Sequence, residues 1–204
     1  MQKIILAFLC SGFLFLEGCS GVTAGRISAE EGDLKASSIT DKWIKKDSEN
    51  AAKEIMNQLA THRGFQRYMA KLNHQPVLYI RDVSNQTEDA YFPIAELNNA
   101  LLKEISRSGE FVLLDRAASQ KLEEELAYQH GGATKRKTAK KVGQFENVDL
   151  MIFGEITMQK ISEKGETVKQ YTVNMRLTDL ETGVEIARMD YEVQKFMERS
   201  RFSW

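Results

Sequence analysis

The sequence predicts an α/β (α+β) fold: a small mixed sheet with a C-terminal antiparallel meander, flanked by helices. Three observations carry that expectation. Short apolar runs at 76–80 and 111–114 are interleaved with helical periods through the first two thirds of the chain. Tyr171, Val173, Met175 and Leu177 alternate with Thr172, Asn174, Arg176 and Thr178, the period of a half-exposed antiparallel strand. Lys164-Gly165 and Glu181-Thr182-Gly183 supply the turns on either side. The order reads βαβαα and then a three-strand meander, one sandwich without repeats.

The elements follow in turn. Asp47 or Ser48 can cap a helix that runs to about Thr61, with Ala51, Ala52, Ile55, Met56 and Leu59 as its apolar stripe. Trp43 stands before it as a hydrophobic staple. Gly64 interrupts the pattern ahead of a short amphipathic piece, Phe65 to Leu72. Pro76 to Ile80 reads as a buried strand with proline at its start. Val83 to Thr87 leaves it as a polar loop, Asn85 and Thr87 bonding the backbone. Pro93 then opens a helix whose core face is Ile94, Leu97, Leu101 and Ile105, stopped by Ser108-Gly109. Phe111 to Leu114 is the second strand. Helices follow over about 117–128 and 138–145, and Leu150 begins the meander.

The N-terminus has different anatomy. Lys3 precedes an apolar stretch from Ile4 to Leu16, too short to span a membrane well, and Leu16-Glu17-Gly18-Cys19 closes it. This is the layout of a signal peptide ending in a bacterial lipobox, with Cys19 the acylated residue and Glu17 departing from the usual small residue. Cys10 lies in the removed segment, so the mature chain keeps no free thiol for a disulfide, which suits an oxidising compartment. Residues 1–18 are expected to be the signal peptide, 19–40 a lipidated flexible tether and 41–204 one globular domain. The tether of about 20 residues reaches at most roughly 70 Å. Ser20 after the cysteine points to the outer membrane, with the domain facing the periplasm.

Composition narrows the function. The chain of 204 residues is 42% hydrophobic and 28% charged with a net charge of −1. That balance is ordinary for a folded domain and carries no nucleic-acid signature. His62, His74 and His130 lack metal-ligand spacing, so no metal is expected. No Gly-x-Ser-x-Gly elbow, Walker loop or dinucleotide turn is present, so no cofactor, no small-molecule substrate and no catalytic residue is expected. Glu123 to Glu125 read as solvated charge, since nothing nearby would raise a carboxylate pKa. Lys135, Arg136, Lys137, Lys140 and Lys141 form the densest charge cluster. They are solvated surface or a patch steering an acidic partner domain. Phe202 and Trp204 either pack back on the sheet or form a small aromatic contact.

Several blocks together resemble the LpoB family, outer-membrane lipoproteins that activate penicillin-binding proteins. Trp43 to Ser48 resembles the family's lead-in to its first helix, and Pro76 to Ile80 with Asn85-Gln86-Thr87 its first strand and loop. Ser108-Gly109-Glu110-Phe111, then Thr138 to Gly143 with Asp149 and Gly154, and Asp179 to Gly183 resemble its later joints and final hairpin. The match runs over roughly 40 to 195. It implies a fold similar to the N-terminal domain of TolB. It also implies a non-enzymatic lipoprotein that binds and allosterically activates a bifunctional penicillin-binding protein in peptidoglycan synthesis. The family's best-known members carry a long proline-rich stalk, whereas the tether here has no proline. An envelope assembly lipoprotein resembling CsgG is the alternative, disfavoured because the one strong alternation is used by the meander.

Overall fold

Every second residue of the central strand is sealed from solvent. Tyr171, Val173, Met175 and Leu177 all have zero exposure, as their alternation requires. The computed structural model describes residues 25–114 and 148–198. Its elements are α1 (Ala29–Ile39), α2 (Lys45–Thr61), α3 (Arg63–Met69), β1 (Val77–Ile80), β2 (Ser84–Gln86), α4 (Ile94–Ser108), β3 (Val112–Leu114), β4 (Leu150–Glu163), β5 (Glu166–Asp179) and β6 (Glu185–Glu198).

The sheet has six strands in the order β3-β1-β4-β5-β6, with β2 pairing β4 beyond the end of β1. β1 runs parallel to β3 and β4, setting Leu78 beside Leu113 and Leu150. β4, β5 and β6 form the antiparallel meander. Parallel neighbours near the start and antiparallel ones after it make the sheet mixed, as predicted.

One face of the sheet carries the core. Leu78, Leu150, Ile152, Ile156, the four β5 residues and Met189 pack with Ala51, Ala52, Ile55 and Leu59 of α2 and with Leu97, Leu101 and Ile105 of α4. Each fully buried Leu or Ile contributes about 1.5–3 kcal/mol by leaving water. Two alanines in the α2 stripe keep that face narrow. Gly64 does the same for α3, since a Cβ there would stand 2.6 Å from the Ile186 carbonyl oxygen. Gly109, at φ 67°, ends α4 in the left-handed conformation that glycine adopts freely.

Three local expectations need correction. Residues 29–39, expected within a coil, form α1. Ser28 Oγ accepts the Glu31 N–H at 3.1 Å while Glu31 accepts the Ser28 N–H at 3.1 Å, a reciprocal cap that starts a helix without any buried side chain. Asp47 and Ser48 do not occupy the α2 cap position. Asp47 sits inside the first turn and accepts the Ile44 N–H at 2.8 Å, while Ser48 Oγ accepts the Trp43 indole N–H at 2.7 Å. Residues 84–86, expected as loop, pair with β4 as β2, because backbone running beside a strand is satisfied by joining it. The turn after it is as expected in kind: Asn85 Oδ1 accepts the Thr87 N–H at 2.9 Å.

β6 forms the outer edge of the meander. Gln58 on α2 reaches that edge, accepting the Asp190 N–H at 3.0 Å and donating to the Asp190 carbonyl at 2.8 Å. Among the described residues, no helix is long and apolar enough to cross a membrane.

Candidate functional site

The side chains singled out from sequence, Cys19, Lys135, Arg136, Lys137, Lys140 and Lys141, all lie outside the described residues. So do His130, Glu123 to Glu125, Phe202, Trp204 and the helices expected over 117–128 and 138–145. Two histidines are placed. His62 Nδ1 accepts the N–H groups of Gly64 and Phe65 at 3.1 and 3.3 Å, which starts α3. His74 Nε2 lies 3.3 Å from Asp149, whose carboxylate also accepts the Val77 N–H at 2.8 Å.

The densest chemistry among the described residues is a clamp of charges and rings under the meander. Register places Lys160, Lys169 and Lys195 side by side across three strands, on the face that bears the core. Like charges directly opposite repel. Aspartates from α2 and from the segments leading into α2 and α4 offset two of them: Lys169 lies 3.4 Å from Asp41 and 3.5 Å from Asp89, and Lys195 lies 2.7 Å from Asp47. Tyr171 donates its hydroxyl to Asp89 at 2.5 Å. Burial, then that hydrogen bond, pushes the Tyr171 phenol above the ordinary tyrosine range. Trp43 meets Phe92 at a tilt and Tyr171 and Tyr191 edge-on, with ring centroids 5.6 to 6.2 Å apart, fastening the lead-in to α2 onto the sheet.

The clamp lies at the root of a three-stranded tongue of the meander, residues 159–170 and 192–198. Its outward face is built in matched rows. Gln159, Gln170 and Gln194 lie across from one another, then Ile161, Val168 and Phe196, then Glu163, Glu166 and Glu198. Ile161 is 59% and Phe196 58% exposed, unusual for large apolar side chains on a strand that is buried further along. A concavity of about 720 Å³ opens between α2, α3 and the end of α4. Met56, Phe65, Met69 and Phe111 line it, with Lys53, Glu104 and Arg107 at its rim. Exposed apolar surface edged by charge is what a protein partner recognises, and neither surface brings an acid, a base and a nucleophile together.

Residues 47–188 match the family model described as peptidoglycan-synthase activator LpoB. This chain belongs to the LpoB family. Solved structures similar to it include the LpoB C-terminal domain from Salmonella enterica, at 13% identity, 73% of this chain, 99% of that chain and a TM-score of 0.40. Lipoprotein GNA1162 from Neisseria meningitidis is similar at 15% identity, 62% of this chain, 87% of that one and a TM-score of 0.38. The NMR structure of Escherichia coli LpoB is similar at 11% identity, 95% and 89% coverage and a TM-score of 0.36. No curated protein sequence matches the chain.

In this LpoB-family chain the match begins at Asp47 and ends at Arg188. It therefore takes in α2 to β5 and the first residues of β6, and it stops before the tongue's part of that strand. Lys169 was the legible clue to the clamp. It shares the inward phase of Tyr171 to Leu177, so a lysine there must find a buried acid, yet spacing alone does not say which.

Proposed function

We propose that this chain is an outer-membrane lipoprotein that binds and allosterically activates a bifunctional peptidoglycan synthase of the penicillin-binding class. The single observation that carries the reading is the family match over residues 47–188, on a chain whose N-terminus ends in a lipobox. Residues 1–18 would be removed, Cys19 lipidated and the domain from residue 41 presented to the periplasm. Activation requires that the domain favour the active conformation of the synthase over the resting one. A coupling of about 1–3 kcal/mol gives a several-fold to hundredfold stimulation.

The lead-in to the domain bears on reach. The 11 residues of α1 span only about 16 Å as helix, less than half their extended length. The partner therefore has to come close to the outer membrane, and lipid confinement restricts engagement to that zone. The basic cluster from Lys135 to Lys141 is the proposed steering surface for an acidic domain of the synthase.

A pull-down of the tagged mature chain from envelopes, followed by a polymerisation assay with the purified pair, tests this. A bifunctional synthase is expected to be recovered and its glycan polymerisation stimulated. Recovery of secretion components alone, or binding without stimulation, would overturn the activator reading. Labelling with radioactive palmitate is expected in the full chain and lost in Cys19→Ser. Retained label in that variant would place the lipid elsewhere.

A further inference from the structure

The outer side of β6 is closed at one place and open at another. Asp190 gives its N–H and its carbonyl to Gln58, so it occupies a non-hydrogen-bonded position opposite Asn174 of β5. Backbone direction alternates along a strand, so every second residue after Asp190 points the same way. Register runs unbroken from there, pairing Glu192, Gln194, Phe196 and Glu198 with Thr172, Gln170, Val168 and Glu166. Their N–H and C=O groups therefore point out of the sheet. All four residues are exposed, and no other backbone or side chain of the described residues bonds those groups. Edge strands in native proteins are usually blunted. Among the described residues, this one is capped at Asp190 and its outward backbone groups have no partner along the tongue.

We propose that this bare edge, Glu192 to Glu198, is a strand-addition site for an extended segment of the synthase. The inference rests on the activator reading and deepens it. Main-chain bonds supply affinity in this mode, and alternate side chains supply specificity. The rows of the tongue state what the incoming strand must carry. Beside Phe196 the row of Ile161 and Val168 continues with an apolar side chain. Beside Glu198 the row already holds Glu163 and Glu166, three carboxylates in line. Lys164, 3.4 Å from Glu163 with both side chains in water, is their one ion-pair partner among the described residues. A lysine or arginine of the incoming strand relieves that repulsion. Glu192 asks for the same at the other end. The occupant is thus a strand with basic residues flanking an apolar one. A second copy of this chain is the poorer occupant, since the antiparallel register centred on the bare stretch sets Glu192 against Glu198 twice.

Proline discriminates, because at Gln194 it deletes an N–H that faces out of the sheet and leaves the β5 ladder whole. The affinity of the full mature chain for the purified bifunctional synthase is measured for wild type, Gln194→Pro and Gln194→Ala. Gln194→Pro is expected to bind at least tenfold more weakly, Gln194→Ala within twofold, and both to keep the wild-type melting temperature. Equal binding by the proline and alanine variants would overturn strand addition while the activator reading stood. A wild-type chain that neither bound nor stimulated any bifunctional synthase would remove the activator reading, and this inference with it. Should Gln194→Pro melt early, hydrogen exchange on wild type decides: the Gln194 and Phe196 amides are expected to slow in the complex. Unchanged exchange, or slowing in the chain alone, would overturn the proposal.

Discussion

One carboxylate oxygen of Asp47 accepts the Ile44 N–H at 2.8 Å and holds Lys195 at 2.7 Å. A helix start and the far strand of the sheet thus share an atom. Both side chains are almost wholly enclosed, at 7% and 11% exposure. Removing one partner strands the other charge in a poorly solvated site, so Asp47→Ala is expected to cost about 3–5 kcal/mol. The double variant with Lys195→Met should recover much of that loss. Urea titrations read both numbers. A double variant as unstable as the single one would show that the cost lies in the helix start alone.

Tyr171→Phe removes the hydroxyl donated to Asp89 and leaves that carboxylate short of a donor, for an expected loss of about 1–3 kcal/mol. Alkaline pH probes the same bond. Burial first, then Asp89, holds the Tyr171 phenol above the usual range. Burial first holds Tyr68 and Tyr191 up as well, with Asp179 the next cause at Tyr68. The unfolded chain releases tyrosine protons from about pH 10, while the folded chain keeps them. Stability is therefore intact below about pH 10 and falls as pH rises past it. Urea midpoints taken from pH 8 upward should show the fall in wild type and a shallower one in Tyr171→Phe. Identical slopes would refute this origin.

Asp179 behaves with the opposite sign. Its carboxylate accepts the Thr182 N–H at 2.7 Å, the Tyr68 hydroxyl at 2.7 Å and the Thr182 hydroxyl at 2.8 Å. Led by the Thr182 N–H, these bonds hold it below the usual carboxylate range. The contribution is present above about pH 4 and is lost as pH drops and the folded carboxylate protonates. Asp179→Asn is expected to be less stable at neutral pH and to lose less on acidification. An unchanged acid limb would assign that limb to other carboxylates.

Gly154 faces Met175 across the centre of the meander. A Cβ there would fall 2.0 Å from the Asn174 carbonyl oxygen and 2.5 Å from the Met175 sulfur. Backbone cannot yield as a side-chain tip does, so Gly154→Ala is expected to cost about 3 kcal/mol. Gly165, at φ 93° in open space, should cost only about 1 kcal/mol on the same change. Thermal melts of the two variants rank them, and the reverse order would contradict the packing.

Where burial follows a period, the sequence was easy to read. The α2 and α4 stripes and the β5 alternation each put one class of residue on one side, and each landed as expected. Elements without an apolar face were harder. α1 buries nothing and rests on the Ser28–Glu31 cap, while β2 is three exposed residues held by backbone pairing. The clamp was half legible, because Lys169 and Asp179 interrupt an inward phase, yet Asp41 and Asp89 are brought to Lys169 only by the packed layers. Gln58 gave no signal at all. A glutamine at the margin of an amphipathic helix is ordinary, and its service to the strand edge exists only once the helix lies against that edge.

The lead-in to α2 meets the sheet on β5, with Asp41 on Lys169 and Trp43 on Tyr171. A pull on the residues before Asp41 is thus delivered to the central strand of the meander. That strand is hydrogen-bonded along both sides, to β4 and to β6. An outer strand such as β6 has a ladder on one side alone. Force arriving through the chain before Asp41 therefore meets the sheet at a strand held on both flanks and not at its rim.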